Sequence, residues 1–300
     1  MRLQTIVALT DFSTAAEHAL DRAALLAAEH KARLHLLFGA EQPDPKFVDP
    51  QARLEQRARQ LARRHDLPVK ALAYRGAGVV DEVLRAAVGA DLLVLDKRAH
   101  QGVEQLWRGG TLSLILRRSP CPVLVVQRAA REAYAHVLLA VDFSPAADAM
   151  VRYASGLDTA AAVELFHAVD LRDEAKLRSA EASAQAVRAW RAQMQRHAHD
   201  RLVRLSDAFE ARRNRVGMTV GMGDVARQVA VQQERSGAEL VALMHRRRGW
   251  MLDLLLGSVA QRLLGGVGCD VLVYPHDYAG AAPRGTTAQP RVARRWTQAI

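Results

Sequence analysis

The chain contains one long stretch twice, and this repeat limits the folds open to it more than any other feature. The first copy runs from Leu92 to Val126 and the second from Leu240 to Val273. The copies align without a gap at a fixed shift of 148 residues, which pairs Gly109 with Gly257. Each copy reads as an apolar strand, a basic loop containing glycine, a short helix and a second apolar strand. The sequence therefore predicts two copies of one folding unit.

The length and charge of the chain agree with two domains and a tail. Half of the 300 residues are apolar, and with the repeat this favours two hydrophobic cores. We predict a first domain over residues 1–131, a second over 132–278 and a disordered basic tail over 279–300. The net charge of +10 comes from the first domain and the tail, since the second domain has 18 basic and 18 acidic residues. No recognition helix accompanies this charge, so nucleic acid is an unfavoured partner.

The spacing of apolar residues predicts strands that alternate with helices in both halves, a pattern typical of a parallel sheet covered on both faces. Thr14 and Glu17 form a capping-box pattern for the first helix of the first half, and Ser144 with Pro145 predicts a cap and a first helical residue in the second. A second helical region over 173–213 is much longer than its counterpart. Its apolar stripe predicts packing against the sheet, with a lid or a partner surface as the alternative for the extra length. The stripe comprises Val187, Trp190, Met194, Ala198, Leu202, Leu205 and Phe209.

Several functional classes find no support in the sequence. No apolar run approaches the roughly 20 residues of a membrane span, and the first residues do not read as a signal peptide, so we expect a cytoplasmic protein. Cys121 and Cys269 occupy the same place in the repeat, inside apolar strands, and are expected to be buried thiols. The chain contains no GxxxxGK[ST], HExxH, GxSxG or CxxC motif. We therefore predict no catalytic residue and no metal site.

Motifs in both halves resemble those of the universal stress protein family. They are VALTDFS and VLLAVDFS at the first strand, ADLLVLD and AELVALM before the basic loop, LLLGSVAQRLL after it, and CPVLVV and CDVLVY at the last strand. The resemblance implies an α/β fold of two doubly wound domains, each a five-stranded parallel sheet of order 3-2-1-4-5 flanked by helices. It also implies pairing of the domains through Val123–Val126 and Val271–Tyr274. A tandem chain of this kind is a covalent dimer.

ATP-binding members of the family carry a glycine, two residues, a second glycine, nine residues, and then glycine with Ser or Thr. The first half has Asp96, Ala99, Gly109 and Gly110 at these positions, and the second has Met244, Arg247, Gly257 and Ser258. Both halves lack the two leading glycines that let a backbone approach phosphates. A carboxylate at Asp96 would repel a triphosphate, so we expect no ATP in the first half.

In the second half the question stays open, because a helix that begins with Gly-Ser can still receive an anion. By resemblance, the residues that would line a nucleotide are Asp142, Val169, Arg247, Gly257, Ser258 and Val259. The alternative is that Ser258 is an ordinary N-cap and that the arginines form a solvated loop. For Asp11 and Asp142, capping of the following helix is at least as good an interpretation as ligand contact.

The sequence favours a non-enzymatic stress-response protein that acts through protein contacts and has degenerate nucleotide sites. The alternative is an ATP-binding switch that uses the site of the second half. No cofactor is assigned, with ATP in the second domain as the one candidate. A protein partner is expected, pairing of two chains is left open, and no membrane is involved.

Overall fold

A computed structural model describes residues 2–39, 49–76, 78–97, 110–207, 216–245, 258–278 and 280. Within these ranges the chain forms ten strands and nine helices. The strands are β1 (Thr5–Thr10), β2 (Arg33–Phe38), β3 (Val69–Leu72), β4 (Leu92–Asp96), β5 (Val123–Val126), β6 (His136–Ala140), β7 (Ala162–Val169), β8 (Val216–Met222), β9 (Leu240–His245) and β10 (Asp270–Pro275). The helices are α1 (Thr14–His30), α2 (Pro50–His65), α3 (Val79–Ala87), α4 (Thr111–Arg118), α5 (Ala147–Ser155), α6 (Arg172–Ser179), α7 (Ala184–Ser206), α8 (Val225–Ser236) and α9 (Ser258–Gly266).

All ten strands join in one sheet, in the order β3-β2-β1-β4-β5-β10-β9-β6-β7-β8. Neighbouring strands are parallel except at the centre, where β5 and β10 pair antiparallel with Leu124 opposite Leu272. Counted within each half, the order is 3-2-1-4-5. The predicted fold class and the predicted contact between the two last strands are therefore confirmed.

The hydrophobic core lies on the two faces of this sheet. Successive strand residues point to opposite faces, so Ile6 and Leu34 belong to one buried cluster while Val7 and Leu93 belong to the other. Each cluster contains residues of both halves, because the β5–β10 pairing makes each face continuous. The repeat predicted one core for each half. The structure instead has one core on each face of the sheet, and both halves contribute residues to each core.

The predicted cap of α1 is displaced by one residue. The helix is capped by Ser13, whose Oγ accepts a hydrogen bond from the backbone N–H of Ala16 at 3.2 Å, and Thr14 is the first helical residue. Glu17 does not complete a capping box at Thr14, and its carboxylate forms an ion pair with Arg57 of α2. Ser and Thr are both good caps, so residue type alone could not choose between these neighbours.

The predicted start of the corresponding helix in the second half is also wrong. Helix α5 begins at Ala147, with no side-chain cap, and Pro145 lies in the turn before it. Ser144 shapes this turn instead, since its carbonyl accepts a hydrogen bond from the N–H of Ala147 at 2.9 Å. The chain closes one turn there before the helix proper begins.

The long helical region over 173–213 is divided into two helices. Helix α6 ends near Ser179, Glu181 takes the left-handed conformation at φ 55°, and Ser183 caps α7 through the N–H of Ala186 at 3.2 Å. Val187, Ala198 and Leu202 are buried, and the later part of α7 packs on β7 and β8, so packing against the sheet is confirmed for that part. Phe209 falls outside the described residues.

Residues 127–135 connect the halves along the sheet. The domain boundary between residues 131 and 132 stays a prediction. The tail predicted over 279–300 lies outside the described residues except for Gly280. In the described part of the chain, no helix is both long and apolar enough to cross a membrane.

Candidate functional site

The candidate site lies at the carboxyl ends of the strands, where the strand order reverses. In the first half the reversal falls between β1 and β4, and in the second between β6 and β9. Open α/β sheets bind their ligands in this crevice because the loops on its two sides diverge. Asp142 follows β6, Val169 is the last residue of the neighbouring β7, and Ser258 begins the helix after β9.

Six residues were predicted to line a nucleotide in the second half. Asp142 and Val169 follow or end neighbouring strands, on one side of the reversal, while Ser258 and Val259 begin α9 on the other side. The backbone carbonyl of Val169 accepts a hydrogen bond from the N–H of Gly223 at 2.9 Å, so it belongs to the turn after β8. Arg247 and Gly257 lie outside the described residues.

Each half carries an aspartate directly after or near the end of its first strand, and both form a local turn. Asp142 Oδ1 accepts a hydrogen bond from the N–H of Ser144 at 3.0 Å, and Asp11 Oδ1 accepts one from the N–H of Ser13 at 2.8 Å. Such a bond to the residue two positions on stabilises the turn that leads into a helix. Neither aspartate caps the following helix, because Ser13 caps α1 and α5 has no side-chain cap, so each carboxylate stabilises the turn before the helix instead.

The residue after each aspartate is a phenylalanine in the left-handed conformation, Phe12 at φ 64° and Phe143 at φ 56°. The ring of Phe143 lies 4.1 Å from the ring of His167 and 4.4 Å from the Arg201 guanidinium, measured to the ring centre. Phe143 is partly buried, and both neighbours that pack against its ring come from other elements of the second half.

The first half repeats this arrangement with different side chains. Phe12 stacks on Phe38 with ring centres 5.1 Å apart, and the guanidinium of Arg53 lies 4.7 Å from the Phe12 ring. In each half an arginine from the helix after the second strand covers the phenylalanine. Sequence analysis missed both stacks, although the repeated Asp-Phe-Ser was the signal that could have pointed to them.

His167 of β7 is a titratable ring beside the crevice of the second half. Its Nδ1 lies 2.8 Å from the carbonyl oxygen of Val141. A carbonyl only accepts, so Nδ1 carries the proton and Nε2 is the acceptor of the neutral ring. Burial lowers the pKa of His167 most, and the nearby Arg201 lowers it further, against the opposing effects of Val141 and Asp142. The ring is therefore neutral at pH 7.

Two side chains replace the first glycine of the family's phosphate loop, and both lie at the crevice. Met244 points to the turn after β6, because the hydroxyl of Ser144 donates to its Sδ at 3.6 Å. Ser144 is 9% exposed and Met244 is partly buried, so the two side chains meet at the edge of the crevice. In the first half, Asp96 ends β4 and is 1% exposed.

Other reactive groups are not gathered at the crevice. Both cysteines are buried free thiols, and burial raises the pKa of Cys121 and of Cys269 to about 12. A thiol with so high a pKa is a poor nucleophile. Among the described residues, no group of three His, Cys, Asp or Glu side chains could hold a metal ion.

The fold and this crevice define a doubly wound α/β protein with one ligand crevice in each half. Comparison with known sequences then gives the family. The sequence model of the universal stress protein family matches residues 2–127 and again residues 133–275. The chain belongs to the universal stress protein family, as a tandem of two such domains.

Individual relatives agree with this assignment. The Thermus aquaticus universal stress protein in the QAH/OAS sulfhydrylase 3′ region is 31% identical over 136 residues, which are 41% of this chain and 98% of that protein. A solved universal stress protein from Archaeoglobus fulgidus is 18% identical, with a TM-score of 0.65 over 91% of this chain and 97% of that one. A solved protein from Pseudomonas aeruginosa, described as a putative universal stress protein, is 19% identical with a TM-score of 0.58 over 91% and 93%. These two structures share the fold of this chain.

Proposed function

We propose that this universal stress protein is a non-enzymatic stress-response protein that acts through protein contacts and holds ATP in neither half. The observation that supports this most is the contact between Met244 and Ser144 across the crevice of the second half. A glycine at residue 244 would leave the backbone at the end of β9 open to a phosphate. The methionine side chain takes up space that a glycine would free, which supports the proposal that no triphosphate is held here.

The first half is unsuited for a different reason. Asp96 ends β4 at the reversal, where its carboxylate would meet the negative charge of a triphosphate. Two unit charges 4 Å apart repel by roughly 4 kcal/mol at the effective dielectric constant of a partly buried site. Lys97 and Arg98 follow it in the chain and offset this repulsion only in part, and the Lys97 ammonium also donates to Gln127 Oε1 at 3.0 Å. We therefore infer that the first half, like the second, has kept the scaffold and given up the phosphate site.

The extra helix of the second half provides a surface for protein contact under this proposal. Helix α6 is fastened to α7 by Glu174, which accepts hydrogen bonds from Arg178 at 2.9 Å and from Arg191 at 2.6 and 2.7 Å. Two arginines on one carboxylate give a rigid connection, because a bidentate pair fixes both distance and orientation. The first half has the single helix α2 at this place.

Nucleotide content tests the proposal directly. Protein purified without added nucleotide is denatured, and the released small molecules are identified by mass spectrometry, with ATP titration by calorimetry in parallel. We expect no co-purifying nucleotide and no heat of ATP binding. A nucleotide that co-purifies with the wild type and is lost in Gly257→Asp would overturn the proposal.

Two further variants show whether Met244 is the obstruction. Met244→Gly opens the crevice of the second half, while Met244→Leu refills it with a side chain of similar volume. We expect the glycine variant alone to gain affinity for ATP. Because one universal stress protein has been solved in complex with cAMP, the same titrations are run with cAMP.

The second candidate is an ATP-binding switch with slow hydrolysis at most. It is favoured by one observation, that α9 begins at Ser258, the position where the family's motif has its Ser or Thr. A helix start of this kind presents free backbone N–H groups to an anion. In this candidate Asp142 and Val169 line the base and ribose side, while Arg247, Gly257 and Val259 surround the phosphates. Phosphate release on incubation with ATP, abolished in Gly257→Asp, would favour the switch.

A further inference from the structure

The junction between the halves contains a buried charge pair on one side only. Asp270 is the first residue of β10 and is 1% exposed, and Arg22 of α1 places its Nε 3.4 Å from Asp270 Oδ2. The hydroxyl of Tyr134 donates to the same oxygen at 2.7 Å. The N–H of Gln127, just after β5, donates to Oδ1 at 2.8 Å. The carboxylate of the second half is thus held by a cation and a backbone group of the first.

Arg22 is fixed from two further directions. Its terminal nitrogen donates to the carbonyl oxygen of Glu132 at 2.7 Å, and its guanidinium lies 3.9 Å from the centre of the Tyr134 ring. Arg22 is 7% exposed as a residue. A buried guanidinium needs a compensating charge, and Asp270 is the carboxylate that supplies it here.

Burial works against the charge of this carboxylate. It raises the pKa of Asp270 although Gln127, Tyr134 and Arg22 all favour the charged form. Buried ion pairs are often no better for stability than apolar residues of the same size. A junction selected for stability alone would have no reason to keep one.

On the other side of the junction, uncharged residues occupy the positions equivalent to Arg22 and Asp270. In the repeat, Tyr153 of α5 corresponds to Arg22, and Pro122 corresponds to Asp270. The hydroxyl of Tyr153 donates to the backbone carbonyl of Asp91 at 2.6 Å, and its ring packs on Tyr274 with centres 5.4 Å apart. The two sides are related by the repeat but differ in chemistry.

We propose that the junction is a heterologous interface, in which the Arg22–Asp270 pair makes each half select the other half over a second copy of itself. A pair of identical domains joins through an isologous interface, in which each contact occurs twice. Two identical domains can form an arginine–carboxylate contact across their interface only if each domain carries both the arginine and the carboxylate.

The first half paired with itself would place Pro122 opposite each Arg22, so neither arginine would meet a carboxylate at the position that Asp270 holds in the unlike pair. The second half paired with itself would bury two Asp270 carboxylates, each facing Tyr153. It would also lose the backbone donor, because Pro275 holds the place of Gln127 in the repeat and has no N–H. An unpaired buried charge is strongly destabilising, so both like pairs are disfavoured relative to the unlike pair.

Cutting the folded chain between the halves tests this selection. A protease site inserted between Ala129 and Ala130 lies in the linker, after Arg128, whose N–H donates to Asp270 Oδ1 at 3.4 Å, and before Glu132, whose carbonyl accepts from Arg22 at 2.7 Å. The uncut insertion variant must therefore first show the free energy of unfolding of the wild type. The intact chain is purified and cut, and the product is diluted, concentrated again and weighed by native mass spectrometry. We expect the unlike pair as the folded species. Folded pairs of like halves, in an amount comparable to the unlike pair, would overturn the proposal.

A cycle of variants in the intact chain gives a second readout, which is decisive if the separated halves unfold. Arg22→Met and Asp270→Asn are each expected to lower the folding equilibrium constant at pH 7. The decrease should be about 100-fold or more for Arg22→Met, because that substitution leaves the buried Asp270 carboxylate without a cation. The double variant should recover a large part of that loss. Purely additive effects of the two substitutions would show that the pair does not act as a unit. Arg152→Met, at an exposed position of α5, is the matched control and should change little.

The pH dependence distinguishes a charge effect from a packing effect. When folding raises the pKa of a carboxyl group, the protein loses stability as the pH rises from the pKa of that group in the unfolded chain through its pKa in the folded chain. Arg22→Met removes the cation that faces Asp270, which leaves Tyr134 and the N–H groups of Gln127 and Arg128 around it. We expect a steeper loss of stability with rising pH in Arg22→Met, and no such slope once Asp270→Asn is added. The same slope in both variants would contradict the proposal.

Discussion

Asp91 gives the sharpest test of how the sheet is stabilised at the start of its central strands. Its Oδ2 accepts hydrogen bonds from the backbone N–H groups of Gln4 at 2.7 Å and Thr5 at 2.9 Å. In the repeat, Glu239 holds the same position, and its Oε2 accepts a hydrogen bond from the N–H of Ala135 at 2.6 Å. One carboxylate therefore ties the first strand to the fourth in each half, and the two sites form a matched pair.

The two sites differ in burial and in the number of bonds, which sets the expected losses. Asp91 is 7% exposed and Thr5 is 3% exposed, so Asp91→Ala leaves the Thr5 N–H without water. A buried donor left in this way costs about 1–3 kcal/mol, and the more exposed Gln4 N–H adds about 1 kcal/mol. We expect Asp91→Ala to lower the free energy of unfolding by about 2–4 kcal/mol. Glu239→Ala should lower it by about 1 kcal/mol or less, because water can reach the N–H that it leaves.

Urea unfolding followed by circular dichroism measures both losses, and equal slopes against urea would show that the same transition is compared. Hydrogen exchange adds a local readout, since the amide of Thr5 should exchange faster in Asp91→Ala than the remaining amides of β1. Equal losses in the two variants, or a larger loss in Glu239→Ala, would refute the reasoning from burial.

Three further predictions follow from the helices. Two arginines lower the pKa of Glu174 to about 2. The stability that this charged carboxylate contributes is therefore fully present above the pKa of about 4.3 that glutamate has in an unfolded chain, and it is lost as the pH falls toward 2. Hydrogen exchange of α6 should therefore rise over that window in the wild type and show no such rise in Glu174→Gln. Leu202→Ala, at 0% exposure, should lower the free energy of unfolding by about 2–5 kcal/mol, and Arg204→Ala by less than about 0.5 kcal/mol, both measured in urea. Ser13→Ala should cost about 1 kcal/mol through the loss of its cap, while Thr14→Ala should cost less, measured by thermal unfolding.

The fold was predictable because two independent signals agreed. Apolar periodicity indicated strands that alternate with helices, and the repeat gave the same pattern a second time. Periodicity gives no lateral order, however, since the side chains of a buried strand do not identify its neighbours. The order 3-2-1-4-5 came from the resemblance to universal stress proteins. The two helix starts were wrong because several neighbouring residues could cap equally well.

The crevice was only partly predictable. Asp142 and Val169 were expected at one crevice because of the resemblance to universal stress proteins, and they do lie after and at the ends of two neighbouring parallel strands. His167 and Arg201 were missed, since the stack they form on Phe143 joins residues that are far apart in the chain. No local pattern signals such a contact. The repeated Asp-Phe-Ser marked the turn, but only the fold shows what covers the ring.

Covalent duplication explains why the two halves diverged at the junction while their strands did not. A domain that pairs with an identical copy must satisfy every junction contact twice, so a change at one residue alters both sides at once. Once two domains share a chain, the linker keeps the unlike partner at a high effective concentration, and each side of the junction can change alone. The strands stay alike because both still bury their two faces, as Val125 and Val271 do. Pro122 and Asp270 occupy equivalent positions of the repeat, and there the two halves have side chains of different chemistry. Because each side could change alone, one side now has the Arg22–Asp270 pair and the other has the Tyr153 contact. An isologous dimer of either half could form neither contact, since each requires residues from both halves.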